Sequence, residues 1–190
     1  GCQHFDRQEY HSKVLFVFDV SGSMFVVDDL PEKIEDAGKM PSRQDKILKF
    51  LAASADEQGR EKTPFIEKAL AKSPLSLYRI GPIVDEGNVL HLDARKDKAF
   101  AFADAARFLK PNKDDVPRPD VDKLSADEAK DKLADYAKQV DMIDTLRTGG
   151  TNLGGALLQI HKLENASYIQ AIIVVSDGQS KIGSQDAPLE

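Results

Sequence analysis

Residues 13–24 read KVLFVFDVSGSM, and the reading of this stretch decides the fold. Its apolar residues from Val14 to Phe18 run on without alternating. That pattern suits a central parallel strand covered on both faces. The run ends abruptly on three oxygen-bearing side chains, Asp19, Ser21 and Ser23, with Gly22 between the serines to let the backbone turn. The carboxyl ends of strands are where α/β sheets present their chemistry. A buried strand that stops on Asp-x-Ser-x-Ser therefore predicts a site.

Two later stretches decide what can use it. Ile169 to Val175, IQAIIVV, predicts a second fully buried strand, and it ends on Ser176-Asp177-Gly178. Between the two strands, residues 148–155 read TGGTNLGG and supply a hydroxyl, Thr151, at or just before a helix N-terminus. In a doubly wound sheet, strand C-termini and helix N-termini meet along one edge. Five side chains can converge there: Asp19, Ser21, Ser23, Thr151 and Asp177. All offer hard oxygen, which suits Mg²⁺, Mn²⁺ or Ca²⁺ and argues against zinc or copper. Two carboxylates balance a divalent charge, and three hydroxyls add neutral dipoles. Such a site keeps an exchangeable position for an incoming oxygen, most naturally a carboxylate.

The remaining elements follow from caps and periodicity. Residues 1–12 read as a leader or linker, and residues 13–190 as one domain. Ser42-Arg43-Gln44-Asp45 resembles a capping box. It opens a helix with Ile47, Leu48, Leu51 and Ala55 on its apolar face, and Thr63-Pro64 opens another turn through Ala71. Leu75–Ile80 and Asn88–Leu92, separated by GPIVDEG, predict an antiparallel hairpin at a sheet edge. Ala99–Leu109 reads as a buried helix, and 111–122 as a Pro- and Asp-rich surface loop. Ser125 to Glu128 is a capping box for a helix to about Leu146, with Ala129, Leu133, Tyr136, Val140 and Ile143 on one face. The next helix turns Leu153, Ala156, Leu157 and Ile160 inward. This order predicts an α/β fold, a doubly wound, mainly parallel sheet with one antiparallel edge hairpin.

The three polar stretches, Asp19-Val20-Ser21-Gly22-Ser23, Gly149-Gly150-Thr151-Asn152-Leu153 and Ser176-Asp177-Gly178, resemble the metal-ion-dependent adhesion site of von Willebrand factor A domains. The resemblance covers roughly residues 13–183 and implies a Rossmann-like fold. It implies that Ser21 and Ser23 coordinate the metal through their hydroxyls and that Thr151 binds it directly or through water. Asp19 and Asp177 would act mostly through bridging waters. It further implies a non-enzymatic protein-binding module, with an acidic side chain of a protein partner completing the metal. Some bacterial members of the family serve instead in ATPase-associated or membrane-anchored assemblies, which is the alternative role. The chain departs from the family pattern in two insertions, about 25–41 and 111–124. It also stops about a dozen residues after Asp177, where the family continues with further strands. The strand delivering Asp177 is then expected at the sheet edge, the chain being a fragment or another polypeptide supplying the missing C-terminal strands. The 25–41 insertion falls beside the metal edge and is expected to shape partner choice.

Composition narrows the rest. The chain has 190 residues, 41% of them hydrophobic and 31% charged, with a formal net charge of −6. Such an acidic balance does not favour nucleic acid as a partner. Cys2 stands alone, so no internal disulfide or thiolate zinc site is expected. His4, His11, His91 and His161 have no spacing that suggests ligation. No apolar run reaches the roughly 20 residues that span a bilayer. Membrane contact is expected only through an upstream anchor, for which the Gly1-Cys2 start is one reading. On that reading an extracytoplasmic or membrane-associated location is favoured over a cytoplasmic one. A Mg²⁺-dependent phosphoryl-transfer enzyme fits less well: the Asp expected two residues after a nucleophilic Asp19 is Ser21. No Gly-x-Ser-x-Gly elbow or P-loop lysine is present either.

Overall fold

A computed structural model describes residues 12–56, 58–94, 100–165 and 167–179. The leader, Cys2, His4, His11, Ala99 and the tail beyond residue 179 lie outside the described residues. The fold is α/β, with a four-stranded mixed sheet in the order β3-β2-β1-β4. β1 (Lys13–Asp19) lies between β2 (Leu75–Ile80) and β4 (Ile169–Val175) and is parallel to both. β3 (Leu90–Leu92) closes the other edge, antiparallel to β2. The expected hairpin is therefore present, shortened because Glu86–Asn88 forms a 3-10 turn.

Two apolar layers pack on the sheet. On one face Phe16, Phe18, Leu75 and Leu77 meet α1 (Arg43–Ala52), α2 (Phe65–Leu70) and α3 (Phe102–Leu109). On the other, Leu15, Val17, Tyr78 and Ile80 meet Ala156 and Ile160 of α5 (Leu153–Leu163). β1 thus has covered faces and paired edges, which is why its apolar run does not alternate. The chain leaves β1 to one side through α1 and α2 and returns to its other side through α5. Helix N-termini and strand ends meet where these directions diverge.

Both capping boxes form. Ser42 and Asp45 bond reciprocally at the start of α1, as do Ser125 and Glu128 at the start of α4 (Ala126–Thr148). Helix faces differ from expectation in three places. α3, expected as a buried helix, buries only Ala105, Phe108 and Leu109 and leaves Phe102 49% exposed, because only one of its faces meets the sheet and α1. α1 ends at Ala52, so Ala55 lies beyond it in a β-bridge with Glu61. Its inward polar residue is Gln44, whose Nε2 donates to Leu109 O at 2.6 Å and ties α1 to α3. In α4 only Ile143 and Leu146 of its residues are buried, while Leu133 is 40% exposed. The reason is positional: α4 packs mainly through its C-terminal end, on the turns at 22–25 and 113–115.

The larger correction concerns β4. Its sequence predicted a fully buried strand, yet Ile172, Ile173 and Val174 are 42%, 37% and 39% exposed. β4 is the sheet edge among the described residues, and no described helix lies over its outer half. The expectation of an edge position holds; the expectation of burial does not. Among the described residues no helix is long and apolar enough to cross a membrane.

At the amino end of the sheet, Glu164 is buried against Lys13 Nζ at 2.5 Å and accepts from the Tyr78 hydroxyl at 2.6 Å. Burial pushes the Glu164 carboxyl up, but Lys13, Tyr78 and Ser167 together hold it below its ordinary value. Burial and the same carboxylate push the Tyr78 hydroxyl up. A depressed carboxyl contributes stability above its unfolded-state value and loses it as pH falls through the folded one. Glu164→Gln is expected to lower stability by about 1–3 kcal/mol at neutral pH. That deficit should shrink as denaturation is followed from about pH 6 to about pH 3.5. A pH-independent difference would remove the ionic role of Glu164.

Candidate metal centre

Asp19 closes β1 with no exposed surface. A buried carboxylate needs donors, and three chain segments supply them. Oδ1 accepts from the Ser21 amide at 2.9 Å. Oδ2 accepts from Ser176 Oγ at 2.9 Å and lies 2.9 Å from Thr151 Oγ1. Thr151 Oγ1 also lies 2.9 Å from Ser21 Oγ, which is in turn 3.1 Å from Ser23 Oγ. Each hydroxyl has one proton, so these contacts form a chain in which protons can be redistributed. Asp19, Ser21, Ser23 and Thr151 are therefore one cluster. Asp19, Ser21 and Thr151 are buried in it, and Ser23 lies towards its rim.

Local backbone positions each member. Thr151 follows Gly150, whose φ of +79° turns the chain after α4. Asn152 N donates to Gly81 O at 2.9 Å, and Asn152 Oδ1 accepts from Gly155 N as the cap of α5. Thr151 thus sits one residue before the cap. Ser21 is the N-cap of a 3-10 turn at Gly22–Phe25. The reason for Gly22 differs from the one expected. Its φ is not positive. A Cβ there would come 2.7 Å from Arg147 O, where the end of α4 crosses the turn. The Arg147 guanidinium stacks over Phe25 at 4.5 Å in the same crossing.

Asp177 reaches the same edge but is held differently. Its Oδ2 accepts from Arg43 Nη1 at 2.8 Å, and its Oδ1 from the Gln179 amide at 3.0 Å. Arg43, the first residue of α1, also donates from Nη1 to Ser23 O at 3.3 Å. Its Nε and Nη2 grip Asp28 in a bidentate pair, both at 2.8 Å. Hydrogen bonding to Asp28 holds the Arg43 guanidinium above its ordinary value, and the same contact holds the Asp28 carboxyl below its own. All five expected residues thus gather at one edge, four in direct contact and Asp177 through Arg43. Sequence reasoning missed Ser176 and Arg43 as members. Ser176 stood in the Ser-Asp-Gly motif, and Arg43 carried no signal; Asp28 belongs to the 25–41 insertion, which the sequence places beside the metal edge.

The donor set is all hard oxygen, the type that a dication such as Mg²⁺ prefers. Octahedral Mg²⁺ with bonds of about 2.0–2.1 Å places neighbouring ligand oxygens roughly 3 Å apart. The Thr151–Ser21 and Ser21–Ser23 oxygen spacings of 2.9 and 3.1 Å match that edge. Among the described residues no group of three or more His, Cys, Asp or Glu side chains is placed to hold a metal ion. No protein-family model, curated protein or solved structure matches the chain.

Gly22→Ala is expected to cost about 1–3 kcal/mol, because the backbone carbonyl of Arg147 cannot yield as a side chain would. Thermal unfolding measures the loss. A variant as stable as wild type would show that the end of α4 does not fix this turn.

Proposed function

We propose that this chain is a non-enzymatic, divalent-metal-dependent protein-binding module of the von Willebrand factor A type, built on a Rossmann-like doubly wound sheet. The observation that carries the reading is the meeting of the Asp19-x-Ser21-x-Ser23 turn with Thr151, whose hydroxyl bonds to Asp19 across 132 residues of sequence. Ser21, Ser23 and Thr151 would hold Mg²⁺, or Mn²⁺ or Ca²⁺ in its place, through their hydroxyls. Asp19 would set their orientation and balance the charge, with Asp177 as the outer carboxylate. The ion would supply a Lewis-acid position for an acidic side chain of a protein partner. Asp19 is taken up by three donors from its own chain, which fits an orienting charge better than a nucleophile.

Calorimetric titration with Mg²⁺ and Mn²⁺ tests the reading. Wild type is expected to bind one ion, and Ser21→Ala/Ser23→Ala to lose at least tenfold in affinity while remaining folded. Absence of binding in wild type would end it. Turnover of a phosphate ester that is lost on Asp19→Asn would favour the enzyme reading instead.

The exposed β4 favours a second role, as a subunit of a larger assembly. IQAIIVV carries no charge and no Pro, the usual guards of an edge strand. A strand supplied by a protein partner would pair with the edge that the described residues leave open and cover Ile173 and Val174 on opposite faces. Without that partner, concentrated wild type is expected to self-associate, and Ile172→Lys/Ile173→Lys to stay monomeric in sedimentation. A wild type that is monomeric at high concentration would remove the support for this role.

A further inference from the structure

Among the described residues, Arg43 is a side chain bonded both to the candidate metal centre and to the loop that borders it. Its Nη1 edge holds Asp177 and the Ser23 carbonyl, and its Nε and Nη2 edge holds Asp28. Asp28 belongs to the segment between the 22–25 turn and α1, which also carries the nearly fully exposed Leu30 and Ile34, 92% and 93%. The same segment is tied to α1 by Asp29 and Lys46 at 2.7 Å. A guanidinium is a fixed planar fork, so its two edges cannot turn independently. Whatever displaces Arg43 from Asp177 must act on the seat of Asp28.

A dication would be such an agent. It shares the charge sign of Arg43 and the need for Asp177. Both Asp177 oxygens are already occupied, one of them by Arg43. An ion drawing on that carboxylate therefore competes with Arg43 for it and repels the guanidinium at short range. Asp28 is held by the same guanidinium and its side chain is 45% exposed, so a guanidinium pushed off Asp177 carries Asp28 and its loop away from the site.

We propose that Arg43 is a positioning residue that couples the cation to the loop: the guanidinium and the metal are alternative counter-ions of Asp177, and residues 26–39 are fastened to the site only in the guanidinium state. The inference rests on the metal-binding reading above and adds its regulation. Metal occupancy releases the segment bearing Leu30 and Ile34, so these aliphatic side chains become free to follow a partner docked at the ion. By linkage, fastening the loop weakens the ion to the same degree that the ion loosens the loop.

Two readouts on the intact chain test this. Mn²⁺ affinity is measured by calorimetry. Loop release is measured as tryptic cleavage after Lys33 and Lys39, relative to cleavage after Lys123 on a separate loop, with and without Mn²⁺. In wild type, Mn²⁺ is expected to raise the relative loop cleavage at least threefold. Arg43→Gln should cleave at the fast rate with or without Mn²⁺ and bind the ion at least threefold more tightly. Asp28→Asn, which leaves the end of α1 unchanged, should also lose the Mn²⁺ dependence of cleavage and, by the same linkage, bind the ion at least as tightly as wild type. Circular dichroism confirms that each variant is folded. If Mn²⁺ binds wild type and loop cleavage does not respond, the coupling is wrong and the metal reading stands. If both variants change affinity while their cleavage still responds to Mn²⁺ as in wild type, Arg43 is only a nearby charge and the coupling is wrong. If Mn²⁺ does not bind wild type at all, the metal reading fails and the coupling falls with it.

Discussion

The site depends on one requirement, that a carboxylate without exposed surface be given enough hydrogen-bond donors. Asp19 stands at the end of a strand paired on both sides, so it cannot turn to water. Its donors come from the turn that follows β1, from the loop between α4 and α5, and from the end of β4. Leaving any of them out would strand a buried polar group, at a cost of about 1–3 kcal/mol. The strand ends and the loop before α5 are therefore held in one arrangement by the same group that gives the site its charge.

The sheet makes that arrangement possible. Because β2 and β4 lie on opposite sides of β1, the loops leaving β1 and β4 open on the same edge as the loop entering α5. The end of α4 braces this edge from outside. Its last carbonyls approach Gly22 and Gly81 so closely that a methyl group at either position would collide with backbone. Two glycines in different loops thus record one close crossing, and both border the candidate metal centre.

Much of this was legible in the sequence because its causes are local. The Asp19, Ser21 and Ser23 trio is adjacent in the chain, and the glycines around Thr151 mark a helix stop and start. The caps at Ser42 and Ser125 are spelled out in four residues each. What misled was burial. IQAIIVV shows what a strand is able to bury, and only its neighbours decide whether it does; among the described residues β4 has one neighbour, not two. The apolar face of α4 was misjudged for the same reason, since its first turns project past the elements it packs on. Arg43 was beyond reach of pattern reasoning. Its bond to Asp177 spans 134 residues and exists because the start of α1 happens to face the end of β4.

From core to rim the site becomes progressively easier to rearrange. Asp19 is sealed and satisfied by its own chain, so moving it would expose several unmet groups at once. The three hydroxyls beside it adapt by rotation, with little cost in changing partners. Asp177 is nearly covered, but its counter-charge Arg43 is 28% exposed and Asp28 45%. Exposed ion pairs of this kind contribute little to stability and exchange partners readily. An ion entering from solvent would therefore meet a fixed inner wall and an adjustable outer one. Preorganised inner ligands reduce the cost of assembling the coordination shell, while an exchangeable outer pair lets a second molecule be admitted without disturbing the core. The division falls between Thr151 and Arg43, which suits the proposed role of holding an ion and still taking a partner.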